Sequence, residues 1–210
     1  MNIGMNTTAE LVWTDSASAP CGAFAHAVAV RVRGEDGQVS ASFDISHRGT
    51  SILLKYRVQE PQVRAVNTGF NSPVWEDSCV EFFISLEGDN QYYNFEFNAI
   101  GTVLGAYGPD RHKREWIPEE ILKLIRVNPS LGREVITDLS GDTRWELDIM
   151  LPLKLFCHHG VTDIAGHRAR ANFYKCGDET EFPHYGAWSP VDTPAPDFHR
   201  PECFGEIVFA

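Results

Sequence analysis

Nowhere in the 210 residues do Lys and Arg gather into a run, and their 18 positive charges face 29 Asp and Glu, a formal balance of −11. A chain this acidic is a poor partner for nucleic acid or for an anionic membrane surface. No apolar run approaches the 18 or so residues of a spanning helix, and Met1 to Pro20 lack the apolar core of a signal peptide. The expected place is the cytoplasm, or the periplasm or exterior if a leader is missing. The five cysteines (Cys21, Cys79, Cys157, Cys176 and Cys203) contain no CxxC and are odd in number. Free thiols in a reducing compartment are the plain expectation. Repeats, low-complexity tracts and linkers are also missing. One domain over 1–210 follows, with 1–22 as a loosely attached N-terminal segment. A chain of this length buries roughly 70% of its unfolded surface and requires no disulfide or metal staple.

Alternation is what the sequence has in quantity. Between Val74 and Asn98 two stretches repeat with a period of two, the mark of half-buried strands. Val80, Phe82 and Ile84 share one face of the first, with Cys79, Glu81, Phe83 and Ser85 on the other. Tyr93, Phe95 and Phe97 oppose Tyr92, Asn94, Glu96 and Asn98 in the second. Glu87-Gly88-Asp89-Asn90 between them suits a hairpin loop. If both apolar faces cover the core, Glu81 must sit opposite Asn94, Glu96 or Asn98. Two carboxylates facing each other across a hairpin repel, so such a row implies something for it to hold.

Further strands are expected over 23–32, 39–45, 51–58, 134–139, 144–151, 167–175 and 206–209. Pro118-Glu119-Glu120 opens a short helix, and Pro152 to His159 forms one or two helical turns closed by Gly160. Cys176 to Gly205 reads as a long loop rich in Pro, Asp, His and aromatics. Many short strands with one or two short helices argue an all-β antiparallel sandwich.

The order Ile52–Val58, Trp75-x5-Glu81, Tyr93–Gly101, Trp145–Pro152, Ala171–Cys176 and Trp188…Phe204-Gly205 resembles the family 9 carbohydrate-binding modules, in particular their stand-alone bacterial relatives. The resemblance spans roughly residues 40 to 210. It implies a jelly-roll-like β-sandwich that binds mono- or oligosaccharides without catalysis, between two tryptophans, with structural Ca²⁺ in some relatives and no cofactor required. By position it assigns Trp75 and Glu81 to an indole and a hydroxyl-binding carboxylate, and Trp188 to the second indole. An amide from Asn98 or Asn172 and a cation from Lys175 or Arg111 complete the implied set. Asn172 and Lys175 have opposite strand parity, so a single face-mounted site takes at most one of them. Lys175 is favoured because it ends its strand beside the loop of Trp188. The ligand-binding set is then Trp75, Glu81, Glu96, Asn98, Lys175 and Trp188, with saccharide as the partner and any associated enzyme open.

The chemistry suits a sugar independently. A flat indole covers the C–H face of a pyranose, and carboxylates and amides pair its hydroxyls. Rival readings are also available. Glu81 and Glu96 could form the acid and nucleophile of a glycosidase. Cys157-His158-His159 with Cys176 and His184 offers zinc-type ligands, and Asp36, Asp77, Asp89 or Asp142 sits in a turn suited to Ca²⁺. A haem-binding sandwich would need an axial Met, for which Met150 has no neighbouring His in sequence. For Glu81 the bland alternative is a salt bridge to Lys55 or Arg57. Trp13, Trp116 and Trp145 are assigned to packing.

Overall fold

The computed structural model describes residues 9–10, 27–33, 39–86 and 88–209, with side chains over 39–86 and 88–209. The strands are β1 (Ala9–Glu10), β2 (Ala27–Arg33), β3 (Ser40–His47), β4 (Ser51–Ala65), β5 (Cys79–Leu86), β6 (Tyr92–Asn98) and β7 (Val103–Gly108). After β8 (Glu115–Trp116) come the short helix α1 (Glu119–Leu122), β9 (Arg126–Pro129), β10 (Ile136–Pro152), β11 (Arg168–Cys176), β12 (Tyr185–Ala187) and β13 (Gly205–Val208). One sheet runs β2-β3-β4-β10-β9 and the other β8-β7-β6-β5-β11, joined along one edge by β12. Apart from the parallel pairing of β1 with β13, the ladders described are antiparallel. Asp36 and Trp13 lie outside the described residues. Of the segment 1–22 only β1 is described.

The period of two does what it promised. Phe43 and Tyr56 of the first sheet meet Phe82 and Phe173 of the second, with the Phe43 and Phe173 rings stacked 3.6 Å apart. The Tyr56 hydroxyl donates across the sandwich to the Glu81 carbonyl at 2.7 Å. Trp145 is buried in the same core, as its strand pattern required.

The departures of β4, β10 and β7 from the sequence reading have local causes. The strand expected to end at Val58 continues to Ala65, through Pro61. Proline cannot give a ladder N–H and belongs at bulges. The β4–β10 register slips by one between Ser140 and Thr143, so Pro61 faces a bulge at Gly141-Asp142. That bulge also joins two expected strands into one, β10. Strand β7 carried little period because its core needs small residues: a Cβ on Gly105 would lie 2.7 Å from Leu122 Cδ2, and one on Gly108 2.6 Å from Arg114 Cα. Finally, the turns after Pro152 are a 3-10 helix over Leu153–Leu155.

One charge cluster is buried at an end of the sandwich. Lys175 pairs with Val80 in the β5–β11 register, so its side chain enters between the sheets. Its ammonium forms an ion pair with Glu60 Oε2 at 2.9 Å and donates to His184 Nε2 (2.7 Å) and the Cys176 carbonyl (2.8 Å). Trp145 Nε1–H donates to the other Glu60 oxygen at 2.6 Å. Burial, helped by Lys175, pushes the His184 imidazole down to about 3. It is therefore neutral, accepting at Nε2 and donating from Nδ1 to the Phe182 carbonyl. Removal of the ammonium strands the Glu60 carboxylate in the core. Lys175→Met is expected to cost about 3–5 kcal/mol in urea unfolding, and Glu60→Gln added to it should recover much of the loss. A single mutant as stable as the parent would show that the pair is dispensable.

Candidate functional site

The loop before β5 is fixed by Asp77. Its fully buried carboxylate accepts from the N–H groups of Val66 and Asn67, from the Asn98 amide and from Arg64. That anchor closes a 3-10 turn over Val74–Glu76, which carries Trp75. The Trp75 carbonyl accepts from the Asp178 N–H, tying the turn to the end of β11. The spacing Trp-x-Asp-x-x-x-Glu thus encodes a turn, its anchor, and a carboxylate two residues into the strand.

Glu81 and Glu96 are direct cross-strand partners, and Leu104 and Tyr174 continue their row across the sheet. The row lies on the face away from the main core. Both carboxyls are buried nonetheless, because the 177–204 segment roofs that face: Phe198 stacks on Tyr174 at 4.1 Å, and His199 Nδ1 meets the Tyr92 hydroxyl at 2.7 Å. A cavity of about 380 Å³ remains beneath the roof, within the range of small-ligand sites. Trp75, Tyr185 and Phe198 form its apolar wall, and Glu81, Glu96, Arg111 and Arg114 the polar one.

Glu96 Oε1 accepts from the Asn94 amide at 2.9 Å and stands 3.5 Å from Arg114 Nη1. Glu96 Oε2, Asn94 Oδ1 and Arg114 Nη1 are buried without a hydrogen-bond partner among the described residues. Burial pushes the Glu96 carboxyl up to about 7, with Arg114 and Asn94 pulling against it. Burial pushes Glu81 well above the usual carboxylate range, and the neighbouring Cys176 and Glu96 add to it. The salt bridge considered for Glu81 does not form: Lys55 pairs with Glu146 and Asp148, and Arg57 with Asp44.

Of the six residues expected at the site, Trp75, Glu81 and Glu96 come together at the cavity. The other three lie elsewhere. Asn98 closes the turn after β6, donating to Asp77 and the Asn67 carbonyl and accepting from the Thr102 N–H. Lys175 is the buried partner of Glu60, and Arg111 is the cation found at the cavity instead. Trp188 packs edge-on against Phe43 and Phe173, so close to Gly205 that a Cβ there would lie 2.6 Å from its Cζ3. Asn172 holds the Ser189 backbone with both ends of its amide. Sequence reasoning missed Arg114, Tyr185, Phe198 and His199. For Tyr185 a signal existed: had Tyr185–Ala187 been read as a strand, parity would have set Tyr185 on the Glu81 face and Trp188 on the core face.

The zinc-type set does not assemble, since His184 serves Lys175 and His159 contacts Tyr93 and Asp89. Asp77 and Asp89 spend their oxygens on protein donors, which does not fit an oxygen cage for Ca²⁺. Among the described residues, the one group with metal-ligand proximity is Cys79, Glu81 and Cys176 at the cavity floor, where Cys176 Sγ already donates to Glu81 Oε1 at 3.1 Å.

Comparison with known proteins agrees with this architecture. The profile of Carbohydrate-binding family 9 matches residues 35–209. A crystal structure of a candidate carbohydrate-binding protein from Bacteroides uniformis is similar at 39% identity and TM-score 0.83, over 88% of this chain and 86% of that one. A family 9 module from Caldicellulosiruptor kristjanssonii in complex with glucose shares the fold at 14% identity and TM-score 0.51, over 85% and 83% of the two chains. The cellotriose complex of a family 9 module from the same organism gives 13% and 0.54, over 87% and 81%. No curated protein matches. With the profile covering residues 35–209 of the 210, this protein belongs to carbohydrate-binding family 9, a family of non-catalytic binding modules.

Proposed function

We propose that the cavity holds one ring of a neutral saccharide, with Trp75 along its C–H face and Glu81, Glu96, Arg111 and Arg114 on its hydroxyls. The observation that carries this reading is the set of unpaired buried polar atoms, Glu96 Oε2 and Arg114 Nη1, beside a half-buried indole. Each unpaired buried group costs about 1–3 kcal/mol, and a hydroxyl both donates and accepts, so it can serve both atoms. The raised carboxyls fit the same role, since a carboxyl that keeps its proton donates and one that has lost it accepts. The cytoplasmic placement and the absence of a required cofactor remain part of the proposal.

The rival use of this pair is glycoside hydrolysis. A glycosidase sets its two carboxyls on either side of the scissile bond. Glu81 and Glu96 rise side by side from one face of one sheet, an arrangement suited to gripping hydroxyls.

The deciding experiment is a screen of mono- and oligosaccharides followed by calorimetric titration. At about 25 cal/mol per Å² of apolar contact, Trp75→Ala should lose roughly 1–3 kcal/mol of binding, about five- to two-hundred-fold, with a near-normal melting temperature. Trp188→Ala should do the reverse and melt early, because its indole packs on Phe43 and Phe173. Normal binding by Trp75→Ala would move the site elsewhere.

The same pair sets a pH dependence. A carboxyl whose folded pKa is raised binds its proton more tightly in the native state. Its favourable contribution is complete below the unfolded value of 4.5 and is lost as pH rises through about 7. Folding stability should therefore fall across that window by about 1.4 kcal/mol per pH unit for each proton retained. Glu96→Gln should flatten this slope in urea unfolding at a series of pH values, and an unchanged slope would remove Glu96 as its source.

A further inference from the structure

Trp116 was assigned to packing and is instead 49% exposed. Lone exposed aromatics are ordinary; the position of this one is not. Trp116 pairs with Ala106 of β7, Ala106 with Asn94 of β6, and Asn94 with Phe83 of β5. Directly opposed residues of antiparallel strands share a face, so Trp116 stands on the same face as Glu81 and Glu96, at the outer edge of their sheet. The Arg114 guanidinium joins the two places. It lines the cavity, stands 3.5 Å from Glu96 Oε1, and lies 4.9 Å from the centroid of the Trp116 ring. A planar guanidinium over an indole holds both in place. Next to the cavity, across Arg114, there is therefore a half-exposed aromatic ring.

We propose that Trp116 is a second stacking platform, which takes the sugar unit following the one held at Trp75 and makes the site one for a short oligosaccharide. Arg114 then lies between the two units, where its remaining N–H groups can reach hydroxyls of both. This inference rests on the saccharide reading above and extends it.

The test uses two matched pairs of probes, glucose with cellotriose and xylose with xylotriose, titrated into the intact protein. In the parent, the trisaccharide of at least one pair should bind more tightly than its monosaccharide by about two- to twelve-fold, the scale of one aromatic contact. In Trp116→Ala the ratio of the two affinities should fall toward one, and Trp116→Phe should restore much of it. Equal weakening of both members would mean that Trp116 acts only by holding Arg114, and the platform would be wrong. No trisaccharide preference in the parent, or a preference that survives Trp116→Ala, would also overturn it. If neither pair binds at all, the saccharide reading itself falls and the platform with it, a result distinct from binding without a chain-length effect.

Discussion

Two carboxyls face each other across a hairpin under a lid, and much of the outer face is arranged around that pairing. The β5–β6 register puts Glu81 opposite Glu96 because Val80, Phe82 and Ile84 must share the core with Tyr93, Phe95 and Phe97. A slip of β6 by one residue would turn Tyr93, Phe95 and Phe97 out of the core. The main core therefore enforces the electrostatic cost on the far side of the sheet. The surroundings then reduce it. Burial raises the Glu81 carboxyl well above the usual carboxylate range, and Arg114 and Asn94 hold Glu96 to about 7 against its own burial. A pocket with one movable proton can present both a donor and an acceptor without carrying two charges.

The lid is a second structural layer. On β5 and β6 every described residue is buried on both faces, which alternation alone never implies. Phe83, Tyr92, Tyr174 and Phe204 form a minor core on the outer face, and the 177–204 segment packs on it through Phe198 and Val191. That minor core decides where the face stays closed. Where it stops, at the Glu81–Glu96 row, the cavity begins. Stability and binding are linked here, because the residues that seat the lid are neighbours of those that line the site.

How much of this could be read from the sequence follows from what periodicity encodes. Strands with strict alternation, such as β5, β6 and the second half of β10, were legible with their faces, and so was the pairing of Glu81 with one of three partners. Strand β7 was not, because packing at Gly105 and Gly108 demanded the absence of side chains. The split between Trp75 and Trp188 was hidden by a three-residue strand, β12, too short to show a period. Lys175 was misjudged by a similar margin. Strand parity excludes it from the Glu81 face, and only the buried Glu60, far away in sequence, explains a lysine in the core. Arg111 and Arg114 come from an irregular stretch where no pattern assigns direction.

The two buried ionic arrangements, Lys175 with Glu60 and Arg114 with Glu96, stand on opposite faces of the same sheet and meet different demands. Inside, the Lys175 ammonium is held against Glu60, His184 and the Cys176 carbonyl; Glu60 Oε2 accepts no hydrogen bond of its own but stands 2.9 Å from that ammonium, and neither residue lines the cavity. Outside, Arg114 Nη1 and Glu96 Oε2 are left over. An ion pair enclosed in the core fixes geometry, whereas one that opens on a cavity under an aromatic wall has unmet hydrogen bonds that a partner can complete. The difference between these two clusters, more than the presence of tryptophan or carboxylate as such, separates the part of the sheet that holds the fold from the part that can hold a sugar.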